Sequence, residues 1–195
     1  MNKIFIPISA AVLALAVGCA HPISLAPDFS KISRDQVKPI DVNVGYYISA
    51  ADQTKEFITP GGGGDKLSYF PYKELEPALF KVLSNVFRRA YPMNSPTDTA
   101  AILANNITFV FVPQIETTSS SDSLVTWPPT SFQVRLACQA LDQNGKVIWE
   151  KKVTGDGKAT FGEFKSDFSL AAKRASEQAI ADFQREVGSA SELRK

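Results

Sequence analysis

Apolar and polar residues alternate over residues 40–48, where Ile40, Val42, Val44, Tyr46 and Ile48 share one side and Asp41, Asn43 and Gly45 the other. A period of two predicts a strand covered on one face. Over 72–90 the period changes to 3.6: Leu75, Leu79, Val82, Leu83, Val86, Phe87 and Ala90 fall on one stripe, with Arg88 and Arg89 in a last turn that suits cations. Pro77 is comfortable only in a first turn, so the regular helix is expected to start there, with Pro71 and Tyr72 in a preceding turn. Period two returns over 106–116, apolar on both sides in its middle as in a central strand under a helix layer, with Pro113 marking a bulge or a lost neighbour. It continues over 132–140, where Phe132, Val134, Leu136, Cys138 and Ala140 alternate with polar residues, and over 146–154, where Val147, Trp149 and Val153 do. Asn144-Gly145 between the last two predicts a hairpin turn. A second helix is expected over 166–187, capped by Ser166, with Phe168, Ala172, Ala175, Ala179, Ile180, Phe183 and Val187 on one face and Gly188 at its end. The order predicts the α+β class: about four strands in a mostly antiparallel sheet, with two helices packed on one face.

The connections differ in character. Residues 51–66 end in four consecutive glycines, Gly61 to Gly64, and Lys66 follows Gly61 at five residues; Asp65 stands where a phosphate cradle needs glycine, so a flexible loop is expected. Residues 117–130 form a long Ser/Thr-rich loop containing Trp127, Pro128 and Pro129, a stiff aromatic group of the kind that anchors protein partners. Gly155-Asp156-Gly157 is expected to turn the chain after the last strand. Residues 189–195 are expected to be a disordered tail. Residues 19–38, with prolines at 22 and 27 and no sustained period, are expected to be a tether able to reach up to roughly 60 Å.

At the amino terminus Lys3 precedes an apolar run, Ile4 to Val17, that ends in Gly18-Cys19. This is the layout of an export signal. Fourteen residues give roughly 21 Å of helix, short of the ~30 Å hydrocarbon core, so a permanent membrane span is disfavoured. The string Leu15-Ala16-Val17-Gly18-Cys19 resembles the bacterial lipobox. That resemblance implies cleavage after residue 18, a diacylglyceryl group on the Cys19 sulfur and acylation of the new amino terminus. Ala20, rather than aspartate, follows the cysteine, which by the same resemblance implies the periplasmic face of the outer membrane. The mature chain is then expected to be a lipid-anchored domain over 39–188.

Charge and chemistry narrow the function classes. The sequence has 21 basic and 20 acidic side chains, and removal of Lys3 with the signal balances them, so nucleic acid is not an expected partner. With Cys19 lipidated, Cys138 is the remaining thiol, and its place on the apolar side of a strand reads as core. His21 is the single histidine and lies two residues from Cys19, which disfavours histidine-dependent catalysis and histidine-based zinc sites. Asp156, Glu163 and Asp167 are close in sequence, but they read as a solvated turn and a helix cap rather than a metal site or an acid and base pair. No cofactor, metal or catalytic residue is expected.

Beyond the lipobox, the strand-helix-strand order, the stretch DQNGKVIWEKKVTGDG and the Ala-rich last helix resemble small Gram-negative envelope lipoproteins, in particular the YajG-like group and more distantly auxiliary lipoproteins of envelope transport systems. The resemblance implies place and fold. The expected function is therefore a non-enzymatic, lipid-anchored periplasmic binding or accessory protein with an envelope protein as partner, acting through loops 51–66 and 117–130. The alternative is a carrier of an apolar ligand lined by Tyr69, Phe70, Phe109 and Phe111; a carboxylate-based hydrolase using Asp156 or Glu163 is a third reading.

Overall fold

A computed structural model describes residues 20–34, 38–122 and 127–194; the expected signal segment and Cys19 lie outside the described residues. The chain runs β1 (Ala20–Pro22), β2 (Ile40–Tyr46), α1 (Ala50–Gln53), β3 (Phe57–Pro60), β4 (Lys66–Tyr69), α2 (Pro71–Val86), β5 (Phe87–Pro92), α3 (Thr99–Ala104), β6 (Ile107–Ser120), β7 (Ser131–Leu141), β8 (Val147–Lys158), α4 (Phe161–Phe164) and α5 (Leu170–Ser189). Short 3-10 turns follow β1, at Phe29–Lys31, and α5, at Ser191–Arg194.

The α+β class is found, with a different sheet from the expected one. Five strands in the order β5-β2-β6-β7-β8 form the main sheet, and β1-β4-β3 form a second, three-stranded one. β2 pairs in parallel with both β5 and β6, whereas β6, β7 and β8 are antiparallel. The extra strand comes from the expected first helix, which ends at Val86 rather than Ala90. Phe87 is already extended, at φ −109° and ψ 165°, and buries its ring while Arg88 and Arg89 stay exposed. Pairing with the edge of β2 gives these residues strand hydrogen bonds and sets the Phe87 ring in the core. At its other end α2 starts at Pro71 and carries Pro77 inside it. The first turn is braced by the Glu74 carboxylate, which accepts from the Phe70 amide at 3.0 Å and from the Leu25 amide at 2.7 Å. Pro113 sits two residues beyond Phe111, the last β6 residue in register with β2, which agrees with its reading as a place where a neighbour is lost.

The hairpin between β7 and β8 turns where expected: the Asp142 amide donates to the Lys146 carbonyl at 2.9 Å, and Gly145 takes φ +79°. Beyond it, β8 runs four residues further than the pattern suggested, through Gly155 and Gly157, which are strand residues paired with Val134 and Phe132 rather than a turn. A Cβ on Gly155 would lie 2.0 Å from the Ala175 carbonyl oxygen, and one on Gly157 1.9 Å from that of Ala171. The glycines let α5 approach β8 backbone to backbone, and Ala171, Ala175 and Ala179, spaced four apart, keep the helix side of the seam equally small. α2 and α5 pack on each other and on one face of the main sheet, where Phe111, Phe132, Val134, Leu136, Trp149 and Phe183 form the core. On the other face, Met93, Ile102, Ile107 and Val110 make a small second cluster.

Residues 20–34 do not stand away from the domain as a tether. β1 pairs in parallel with β4, Ile23, Leu25 and Ile32 are buried in the main core, and the Ser24 amide donates to Ser169 Oγ at 2.9 Å. Farther along, Lys31 Nζ meets Glu177 Oε2 at 2.6 Å and Gln184 Nε2 donates to the Ser33 carbonyl at 2.8 Å. The segment is a strap across the start of α2 and along α5, fixed by the buried aliphatic side chains of Ile23 and Leu25, two residues apart and too short a run to mark a strand by period. The expected tail is also packed: Leu193 is fully buried, and the Arg194 guanidinium donates to the Lys38 and Gly188 carbonyls.

Replacing Gly157 with alanine should lower the unfolding free energy by about 1–3 kcal/mol, since α5 must lift off β8 to admit the methyl group. Gly162→Ala, where nothing lies within 4 Å, should be near neutral; chemical denaturation of the two variants checks both.

Candidate functional site

The described residues closest to the expected lipid attachment lie at one end of the domain, where four segments meet. β1 supplies His21. The turn between β3 and β4 supplies Gly61 to Asp65, the loop between β6 and β7 supplies Trp127, and the segment between β8 and α5 supplies Phe168. The His21 and Trp127 rings stack at 4.2 Å with an 11° interplanar angle, and Trp127 meets Phe168 at 5.0 Å. His21 Nε2 is 3.3 Å from Asp65 Oδ2. The Trp127 carbonyl accepts from the Gly62 amide at 3.1 Å, and a Cβ on Gly61 would lie 2.7 Å from the same oxygen. Ser119 Oγ lies 2.7 Å from the Pro60 carbonyl oxygen and 2.8 Å from Thr59 Oγ1, joining β6 to β3. Residues 117–120 and 57–60 are strand rather than the expected loops, and what remains of the two loops meets at the Gly62–Trp127 bond. Two of the glycine amides are committed within the fold: that of Gly61 donates to the Asp65 carbonyl at 2.9 Å, and that of Gly62 to the Trp127 carbonyl.

Trp127 is half-buried and Pro128 and Pro129 are buried. The indole thus holds His21, the second residue after Cys19, against the domain. Two aromatic contacts of this kind contribute about 0.5–1.5 kcal/mol each beyond their burial. Sequence reasoning found the tryptophan but not its partners, because His21 and Phe168 lie 106 residues before and 41 after it.

The three carboxylates of the hydrolase reading face different ways. Asp156 Oδ1 accepts from Gln133 Nε2 at 2.9 Å on the sheet. Glu163 closes a capping box with Thr160 at the start of α4 and pairs with Arg174 at 2.8 Å. Asp167 pairs with Lys173 at 2.8 Å and accepts from the Ser169 amide. The Arg174 hydrogen bond, helped by those from Thr160, holds the Glu163 carboxyl down at about 2. The Cys138 thiol is buried, and burial pushes its pKa up, away from nucleophilic use.

The four aromatics of the carrier reading do not line a common pocket. Tyr69 packs edge to face on Phe132 at 5.4 Å, and Phe111 packs on Phe87 at 5.4 Å. Phe109 is buried, while Phe70 is exposed at the start of α2 with Lys73 Nζ 5.9 Å from its ring centroid. The cavity against Phe111, lined also by Leu79, Leu83, Cys138 and Phe183, measures about 10 Å³, the lower limit for one water and far below the size of an acyl chain.

Comparison with solved structures shows the fold. The chain is similar to protein XCC0632 from Xanthomonas campestris, described by the family model DUF330, with TM-score 0.50 and 11% identity over 87% of this chain and 90% of that one. At such identity the likeness is one of fold alone. More remote are a protein from Caulobacter crescentus CB15, provisionally assigned as a lipoprotein (TM-score 0.34, 11% identity, 58% of this chain and 77% of that one), and the PelC dodecamer from Paraburkholderia phytofirmans (TM-score 0.36, 13% identity, 76% and 89%). No protein-family model matches the chain, and no curated protein matches it in sequence.

Trp127→Ala should release β1 while the sheet stays folded: amide exchange at Ile23, which donates to the Ser68 carbonyl at 3.0 Å, should speed up by about tenfold, with the amides of β7 unchanged in a site-resolved exchange experiment. Glu163 gives a second expectation. Because its folded-state pKa lies below the ordinary 4.5, its stabilising contribution is complete above pH 4.5 and fades as the pH falls toward 2. Glu163→Gln should flatten stability against pH in that window and leave its shape elsewhere unchanged, as read from unfolding midpoints across a pH series.

Proposed function

We propose that this chain is a lipid-anchored, non-enzymatic accessory protein of the bacterial cell envelope, held on the periplasmic face of the outer membrane and acting on an envelope protein. The observation that carries this is the junction at residue 19. The apolar run 4–17 ends in Leu15-Ala16-Val17-Gly18-Cys19, and the very next residue, Ala20, is already paired with Lys66 in a sheet. A signal ending there delivers the cysteine at the surface of a folded domain, where two or three acyl chains give stable anchoring. Among the described residues no helix is long and apolar enough to cross a membrane, so lipid is the means of attachment this reading supplies. The YajG-like resemblance in the lipobox, the last hairpin and the Ala-rich helix supports the same placement.

The non-enzymatic part rests on what the reactive groups do: Glu163 and Asp167 are engaged with Arg174 and Lys173, Cys138 is in the core, and His21 is stacked on Trp127. With Trp127 engaged by His21 and Phe168, we assign partner contact to the outer face of β6, β7 and β8. There Gln114, Glu116, Arg135, Glu150 and Lys152 are exposed in neighbouring register, a face of mixed charge suited to a polar protein surface.

Expression of the full chain in a Gram-negative host tests the anchoring. The wild type should carry a diacylglyceryl group by mass spectrometry and float with outer membranes, and Cys19→Ser should lose both. A Cys19→Ser protein that is still cut after residue 18 and still floats overturns the proposal.

A further inference from the structure

If Cys19 is lipidated, the strap fixes where the bilayer must be. His21 is stacked on Trp127 and β1 is hydrogen-bonded to β4, so the acylated sulfur lies within two residues, at most about 7 Å of chain, of a rigid part of the domain. The domain therefore has little freedom to stand off. The end it turns toward the lipid is the one where Trp127 and the segment between β8 and α5 lie. That segment presents two large apolar rings to solvent, Phe161 at 56% exposure and Phe168 at 48%. Phe168 touches Trp127, which stacks on His21, and Phe161 follows by two residues Ala159, whose amide donates to the Thr130 carbonyl at 3.0 Å. Lys165 Nζ lies 4.9 Å from the Phe161 ring centroid, and Lys158 is exposed at the end of β8. The neighbouring acids Glu163 and Asp167 are matched by Arg174 and Lys173.

We propose that this end rests directly on the phospholipid bilayer that holds the Cys19 acyl chains, with the Phe161 and Phe168 rings in the headgroup region and Lys158 and Lys165 facing lipid phosphates. The proposal rests on the lipid attachment proposed above. Exposed rings flanked by lysines are the composition of a segment lying in a membrane interface. Each ring packs one side on a neighbour, Phe161 on Phe164 and Phe168 on Trp127, and leaves the other open; against lipid the open sides supply the second membrane contact that orients the domain, and leave the charged outer face of β6 to β8 clear of the membrane.

The test uses the acylated full-length mature protein with a nitrobenzoxadiazole probe on Phe161→Cys or Phe168→Cys. Those thiols are the reactive ones, because Cys19 is a thioether and Cys138 is buried. Leu103→Cys is the control: it is 75% exposed in α3, at the opposite end of β6, roughly 40 Å away along the strand. In vesicles of phosphatidylethanolamine with a minority of phosphatidylglycerol, the probes at 161 and 168 should shift to the blue and lose intensity to brominated acyl chains, while the probe at 103 does neither. Probes at 161 and 168 that stay as wet as the one at 103, on protein that is acylated and floats with the vesicles, overturn the membrane seat and leave the anchoring intact. Probes shielded only in native envelopes, not in vesicles, overturn it in favour of a protein covering this end. Protein that is neither acylated nor floats overturns the anchoring, and the seat with it.

Discussion

A helix normally stands off a sheet by the height of the side chains between them. On β8 that layer is missing at Gly155 and Gly157, where the backbone of α5 occupies the space a Cβ would take. The close approach sets the rest of the arrangement. It brings the start of α5 to the end of β8, so that Ser169 is placed to receive the Ser24 amide, Glu177 to receive Lys31, and Gln184 to bond both Ser33 and Asn85 of α2. The strap over the two helices exists because the seam holds α5 at that height. Its first residues then fall beside Trp127 and Phe168.

Much of this was legible in the sequence where a period runs long enough to be counted. β2, β6, β7 and β8, the turn at Gly145, and both long helices all announce themselves by alternation or by the 3.6 stripe. What was missed depends on tertiary context. Phe87 fits the helical stripe of α2 as well as it fits a strand, and only the available edge of β2 decides for the strand. Gly155 and Gly157 look like turn residues, and their real use is visible only once α5 lies over them. Ile23 and Leu25 give too short a pattern to mark a strand, yet Leu25 is fully buried because Glu74 and the core are there to receive it.

For the candidate site the same division holds. The lipobox and Trp127 stand out by residue type alone. The contacts that give Trp127 its place join residues from the first, middle and last thirds of the chain, a coupling no local motif records. The structure places the half-buried indole against His21 of β1 and Phe168. Where Cys19 carries the proposed lipid, the distance between lipid and domain, expected to be long and variable, is therefore short, because residues 20–34 are packed on the domain.

Neutron reflectometry on a supported bilayer carrying the acylated protein measures that distance. With residues 20–34 packed on the domain, protein density should begin at the lipid headgroups with no solvent layer between. A hydrated gap of tens of ångströms between headgroups and domain contradicts it, and shows residues 20–34 paying out as a tether.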